Sequence, residues 1–352
     1  NRTLRQIYLQ NNGIDGQGAE ALAEVLEVNR HIRELYLGSN NLGAEGAKAF
    51  ARALKSNRSL KIVSLDANDM GNSGAQAIAE ALKVNSSITR LSVWKNNFGV
   101  EGAEAIASAL MVNRSVKVIN LEGNNIGVLG AKAIGMAFRN NQSILEEIEL
   151  FNNNLAEGVE AIAEGLKTNR HVKKIGLRDN KIGIKGAEAL SEMLKVNQTI
   201  AILDLQANLV GSKGAEAIAE ALKRNHSIKE LYLNGNEIGD NAMQVMASAL
   251  TMNRSVTLLN LRDTGLGDLG AKALAEALKI NRTVARLDLQ RNHIQVNGAK
   301  AIAEALQVNQ GIREISLNGN FLSAEGLEVL REVMFQKIAR GTQVVEIKMD
   351  RA

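Results

Sequence analysis

Along the chain, apolar residues first alternate with polar ones over a short stretch, then recur every three or four residues over about a dozen positions, after which the alternation returns. In IKELYL (Ile228 to Leu233) every second residue is apolar, the period of a strand with one buried side. In GAEAIAEALKRN (Gly214 to Asn225), Ala215, Ile218, Ala219 and Leu222 share one helical face while Glu216, Glu220 and Lys223 share the other, which predicts a short amphipathic helix. LYLGSNNLGAEGAKAFARALKSNRSL (Leu35 to Leu60) aligns without a gap on LYLNGNEIGDNAMQVMASALTMNRSV (Leu231 to Val256), so the chain is an array of one unit. The last strand leucine of that unit falls at Leu9, Leu37, Leu65, Val93, Leu121, Leu150, Leu177, Leu205, Leu233, Leu261, Leu289 and Leu317, 28 residues apart except for one step of 29 followed by one of 27.

Stacked parallel strands lie ~4.8 Å apart and packed helices ~8–10 Å apart, so strands should line the inside of a curve and helices its outside. The array is expected over 1–322. A longer helix in Ser323 to Arg340 and a strand in VVEIKM (Val344 to Met349) form a cap over 323–352. The start, NRTL, carries no cover for its first apolar layer, which implies a longer protein or a cap outside this sequence.

Each copy reads L-x-x-L-x-L-x-x-N-x-I-G followed by a helical G-A-x-A-I-A-x-A-L. Over Leu4 to about Leu330 this resembles the ribonuclease-inhibitor-like class of leucine-rich repeats and is similar to the sensing repeats of NOD-like receptors. The resemblance implies an α/β leucine-rich repeat solenoid, a horseshoe of about 12 repeats of 28 residues with a concave parallel sheet and convex helices. It also implies protein binding. Members similar to Ran GTPase-activating proteins add a second reading, an accessory to GTP hydrolysis by a partner. Ribonuclease inhibitors are cysteine-rich and acidic, whereas this chain has no cysteine and a formal charge of +4, so inhibition of a basic ribonuclease is not expected.

Two asparagines recur. One follows the last strand leucine by three residues (Asn12, Asn40, Asn68, Asn96, Asn124, Asn153, Asn180, Asn208, Asn236, Asn292, Asn320), and its amide is expected to be buried, satisfying backbone groups that leave the sheet. Thr264 stands there in the tenth unit; a hydroxyl cannot supply two donors, which predicts a weak point. The other asparagine ends each helix, often before an arginine (Asn57-Arg58, Asn113-Arg114, Asn253-Arg254), where a left-handed C-terminal residue and a cation at the negative end of the helix dipole are favourable.

Composition narrows the chemistry. The absence of cysteine removes disulfides and cysteine-held zinc and favours a reducing compartment, so a cytoplasmic location is expected. No apolar run reaches the length of a membrane span. The balance of 42 basic against 38 acidic residues does not by itself imply nucleic acid. Nine N-x-S/T sequons begin at Asn1, Asn57, Asn85, Asn113, Asn141, Asn197, Asn225, Asn253 and Asn281, but eight fill the helix-end slot and follow from the repeat. Gly265 to Gly270 matches G-x-G-x-x-G, yet Gly267 and Gly270 are in register with glycines of other units. His31, His171, His226 and His293 lie in different units and cannot share a metal. No enzyme chemistry, cofactor or metal is expected.

What remains is a surface. The third, fifth and seventh positions of the strand motif point to solvent because they alternate with the buried leucines. Tyr8, Tyr36 and Tyr232 are fifth positions, Trp94 and Phe151 seventh, so every tyrosine and the one tryptophan share this face. Glu122, Glu147, Glu149, Lys174 and Arg178 surround Trp94 and Phe151, and the whole set is the candidate site for a protein ligand. Arg5, Arg33, Lys61, Lys117, Lys173, Lys229 and Arg313, at the second position, form a basic flank that offers an alternative surface for nucleic acid or an acidic partner. At the 29/27 join the extra residue should be absorbed around Ile144 and Leu145, leaving Ile148 and Leu150 buried and Phe151 on the candidate face.

Overall fold

The computed structural model describes residues 1–140, 144–341 and 345–350. They fall into two compact units, 1–180 and 181–352. In the first, strands β1 (Gln6–Tyr8), β2 (Glu34–Tyr36), β3 (Ile62–Ser64), β4 (Arg90–Ser92), β5 (Val118–Asn120), β6 (Glu147–Glu149) and β7 (Lys174–Gly176) pair in parallel in chain order. They alternate with helices α1 (Gly16–Val28), α2 (Gly43–Ser56), α3 (Gly71–Val84), α4 (Gly99–Val112), α5 (Gly127–Asn140) and α6 (Val159–Thr168).

The second unit continues the alternation with α7 (Gly183–Val196), β8 (Ile202–Asp204), α8 (Gly211–Leu222), β9 (Glu230–Tyr232), α9 (Gly239–Met252), β10 (Leu258–Asn260), α10 (Asp268–Leu278), β11 (Arg286–Asp288), α11 (Val296–Val308), β12 (Glu314–Ser316), α12 (Ala324–Ala339) and β13 (Glu346–Lys348). Strands β8 to β13 again pair in parallel and in order. Ser323 caps α12, its hydroxyl accepting from the Gly326 amide at 3.2 Å. The final strand is shorter than VVEIKM, and Val344 lies outside the described residues.

In both compact units the core lies between strands and helices and is built from short repeated contacts. In the ninth repeat, Ile228, Leu231 and Leu233 from the strand side and Met243, Met246 and Leu250 from the helix side are all at most 1% exposed. Two polar ladders thread this core. Asn96 Nδ2 donates to the Val93 carbonyl of its own repeat and to Leu65 of the preceding one, each at 3.0 Å, while its Oδ1 accepts from the Asn68 amide at 3.0 Å. These are the backbone groups that a three-residue strand leaves unpaired as the chain turns toward the helix.

At the start the expectation fails. Asn12 is exposed and its Nδ2 donates to the Gln10 carbonyl at 2.9 Å. Asn320 is only half-buried. In the tenth repeat the Thr264 hydroxyl donates to the Leu261 carbonyl of its own repeat at 2.7 Å. The bond to Leu233 that an asparagine would make has no counterpart among the described residues.

The helix-end asparagines are not left-handed. Asn253 has φ −69° and ψ 135°, an extended residue, and its side chain explains the choice. Nδ2 donates to Leu222 and Asn225 of the preceding repeat, both at 2.9 Å, and Oδ1 accepts from the Ser255 and Val256 amides, both at 2.9 Å. Asn57, Asn85, Asn113, Asn197, Asn225 and Asn281 are buried in the same way. The sequons therefore place their asparagines inside the protein, except Asn1, which is exposed, and Asn141, which lies outside the described residues. The following arginines do cap the helices: Arg254 Nη1 reaches the Thr251 carbonyl at 2.9 Å.

At the 29/27 join the register is as expected. Val118 pairs with Glu147 and Glu147 with Lys174, and Ile148 and Leu150 are fully buried. Leu145 is buried, and Asn141 to Ser143 lie outside the described residues. The missing residue after Leu150 changes the helix entry: a 3-10 turn, Ala156–Gly158, replaces the first turn of the helix. Ala156 stands at φ +42°, where seven other repeats place a left-handed glycine such as Gly127 or Gly183. Helices α5 and α6 meet at glycines, for a Cβ on Gly165 would strike the Gly135 carbonyl and one on Gly135 the Ala161 carbonyl.

Candidate ligand-binding face

Strand alternation places nine of the ten predicted site residues on the solvent side of β1 to β7 or in the turns that follow them. Tyr8 and Tyr36 stack face to face, centroids 4.7 Å apart with planes 2° apart. Tyr8 is 60% exposed, whereas Tyr36 is half-buried and donates to Glu34 at 2.9 Å. Burial, and then the Glu34 carboxylate, push the Tyr36 phenol up to about 12. Between Tyr36 and Glu149 the fifth-position row carries only Ser64, Ser92 and Asn120, short side chains that leave room along the middle of the face.

Trp94 stands beside this row, half-buried, with Lys95 Nζ 5.0 Å from its ring centroid. Its backbone is fixed by a residue the sequence pattern did not single out. Asp66 accepts from the Ser64 and Ser92 hydroxyls, each at 2.5 Å, and from the Trp94 amide at 3.0 Å. Burial pushes the Asp66 carboxyl up, against the pull of those bonds. The available signal was a carboxylate at a seventh position flanked by two serines at fifth positions in adjacent repeats.

Glu147, Glu149, Phe151, Lys174 and Arg178 share the far end of the first compact unit. Lys174 pairs with Glu149 at 2.5 Å. Gly176 is the second residue the pattern missed: a Cβ there would collide with Glu149 Oε2 and the Phe151 ring, so its missing side chain lets both lie over β7. Phe151 is half-buried and Arg178 exposed. Glu122, half-buried, follows β5. Tyr232 belongs to the second compact unit, donates to Glu230 at 2.7 Å and is likewise raised to about 12, by burial and then by that carboxylate.

The basic flank is partly neutralised. Glu146 pairs with Lys173 at 2.8 Å and Lys117 at 3.3 Å, and its carboxyl is held low by those two ammonium groups in that order. At the G-x-G-x-x-G stretch, Asp240 Oδ1 accepts from the Gly267 and Gly270 amides at 2.7 and 3.0 Å, so a side chain fills the place a phosphate would need. Among the described residues no group of His, Asp or Glu could hold a metal ion, and no helix is long and apolar enough to cross a membrane.

The sequence profile described as Leucine Rich repeat matches ten segments: 1–23, 28–51, 56–79, 84–107, 112–135, 168–191, 196–219, 224–247, 253–275 and 281–303. It passes over 136–167, where the irregular repeat lies. No curated protein matches the chain. Among solved structures, an internalin from Listeria monocytogenes is similar at 14% identity over 99% of this chain and 87% of its own, with a TM-score of 0.56. The actin-binding site 2 of leiomodin-1 matches at 22% identity over 37% of this chain and 78% of its own, with a TM-score of 0.31.

Proposed function

The chain belongs to the leucine-rich repeat family, and on that premise we propose that it is a non-catalytic recognition domain holding a protein ligand on its strand face. One observation carries the reading: Tyr8, Tyr36, Trp94 and Phe151 lie on that face, the two tyrosines stacked, whereas Phe50, Phe98 and Phe138 fill the core. Large rigid rings set among Glu122, Glu147, Glu149, Lys174 and Arg178 are the composition of a protein-binding hot spot with a polar rim. The backbone of Trp94 is anchored through Asp66 and Phe151 rests over Gly176, so both are partly ordered before a ligand arrives. Such a domain suits the sensing arm of a receptor or scaffold of the ribonuclease-inhibitor-like class. The basic flank supports a nucleic-acid partner less well, because Lys117 and Lys173 already share Glu146.

The test is a pull-down with quantitative mass spectrometry, comparing the parent chain with a Trp94→Ala, Phe151→Ala double variant. At about 2 kcal/mol for each hot-spot ring, about 4 kcal/mol for the pair, affinity should fall by nearly a thousandfold and the bound partner to background. Unchanged recovery of every partner would remove this face from the function.

A further inference from the structure

The strand face of the second compact unit contains a cleft of about 190 Å³, lined among others by Tyr232, Asn260, Arg286, Asp288, Glu314 and Lys348. It is below the ~300–1,000 Å³ of a small-molecule pocket and closer to the size of one side chain. Its cations are engaged: Arg286 Nη2 is 3.5 Å from Glu230, and Lys348 Nζ is 2.5 Å from Glu314. Its central carboxylate is not. Asp288 Oδ1 accepts from the Gln290 amide at 3.0 Å, and among the described residues no cation lies within ion-pair distance of it. Burial pushes the Asp288 carboxyl up, against the Gln290 amide bond and the more distant charges of Arg262 and Lys348. Tyr232, with its hydroxyl turned to Glu230, supplies an aromatic wall.

We propose that this cleft receives the guanidinium of an arginine presented by a protein partner, which stacks on Tyr232 and donates to Asp288. A planar, weakly hydrated cation with several donors fits an aromatic wall beside a half-buried carboxylate better than an ammonium does. An anionic ligand is disfavoured because Arg286 and Lys348 would have to abandon Glu230 and Glu314. The proposal goes beyond the recognition reading, which rests on the first compact unit, and its test needs no natural partner, so either can fail alone.

N-acetyl-arginine amide is titrated into the full chain while the backbone amide shifts of Asn260, Asp288 and Gln290 are followed by NMR. N-acetyl-lysine amide and the neutral isostere N-acetyl-citrulline amide serve as controls. Saturable shifts with the arginine compound alone are expected, weakened about tenfold in Asp288→Asn. That variant keeps the local bond, since Asn260 in the same position accepts from the Arg262 amide at 3.0 Å. Lack of saturation, equal binding of the lysine or citrulline compound, or undiminished arginine binding by Asp288→Asn would each overturn the proposal.

Discussion

A buried asparagine in this protein serves two repeats at once, and that decides what its loss costs. Asn253→Ala would delete five hydrogen bonds and leave the Leu222 and Asn225 carbonyls, the Ser255 and Val256 amides and the Ser255 hydroxyl without that partner in a fully buried site. A loss of about 3 to 4 kcal/mol is expected from urea unfolding. Thr264→Asn runs the other way. It restores the donor to Leu233 and should add about 1 kcal/mol, the net value of one buried bond. If that variant gains nothing by the same measurement, the threonine site is not the weak point of the ladder. The sequence made Thr264 conspicuous because eleven asparagines surround one exception. It misled at the helix ends, since an asparagine required for its side chain reads the same as one required for its φ.

Among the elements, the irregular sixth repeat separates what periodicity can and cannot show. Its strand register was legible, because a slip of one residue would have turned Ile148 and Leu150 outward. Its helix entry was not, since the strain falls on Ala156 at φ +42°. Relief of a left-handed Cβ, ~1–2 kcal/mol, exceeds the added unfolded-state entropy of glycine, ~0.4–1 kcal/mol. Ala156→Gly should therefore stabilise by about 0.5 to 1 kcal/mol, read as a higher Tm. Gly165→Ala tests the α5–α6 contact by sign. Helix propensity alone favours alanine by ~1 kcal/mol, but the collision with the Gly135 carbonyl predicts a net loss of about 1 to 2 kcal/mol. A raised Tm for that variant would mean the two helices are not held at glycine distance.

For the molecule taken whole, the period that exposes the fold also hides much of the site. That Tyr8, Tyr36, Trp94 and Phe151 share a face follows from counting in twos. That Asp66 anchors the Trp94 backbone, that Gly176 admits Phe151 and that Asp288 lines a cleft depend on how long the side chains of neighbouring repeats are, which alternation does not encode. The sequons carry a prediction at this scale. Oligosaccharyltransferase acting on the native protein should modify none of Asn57, Asn85, Asn113, Asn197, Asn225, Asn253 or Asn281, because each is buried, and the Nδ2 atoms of Asn57, Asn85, Asn113, Asn225, Asn253 and Asn281 already donate to carbonyls inside the core. Peptide mass spectrometry finding a glycan at any of them, with the fold intact, would contradict the ladder. The ladders also set a rule of inheritance for the gene. Asn153 Oδ1 still accepts from the Asn124 amide across the 29-residue step at 2.8 Å, and Asn180 Oδ1 from the Asn153 amide across the 27-residue step at 2.9 Å, so a single codon gained or lost is absorbed between the asparagines of neighbouring repeats. Unequal exchange between copies can lengthen or shorten such a chain by whole repeats, so its evolutionary history should be written in multiples of about 28 residues.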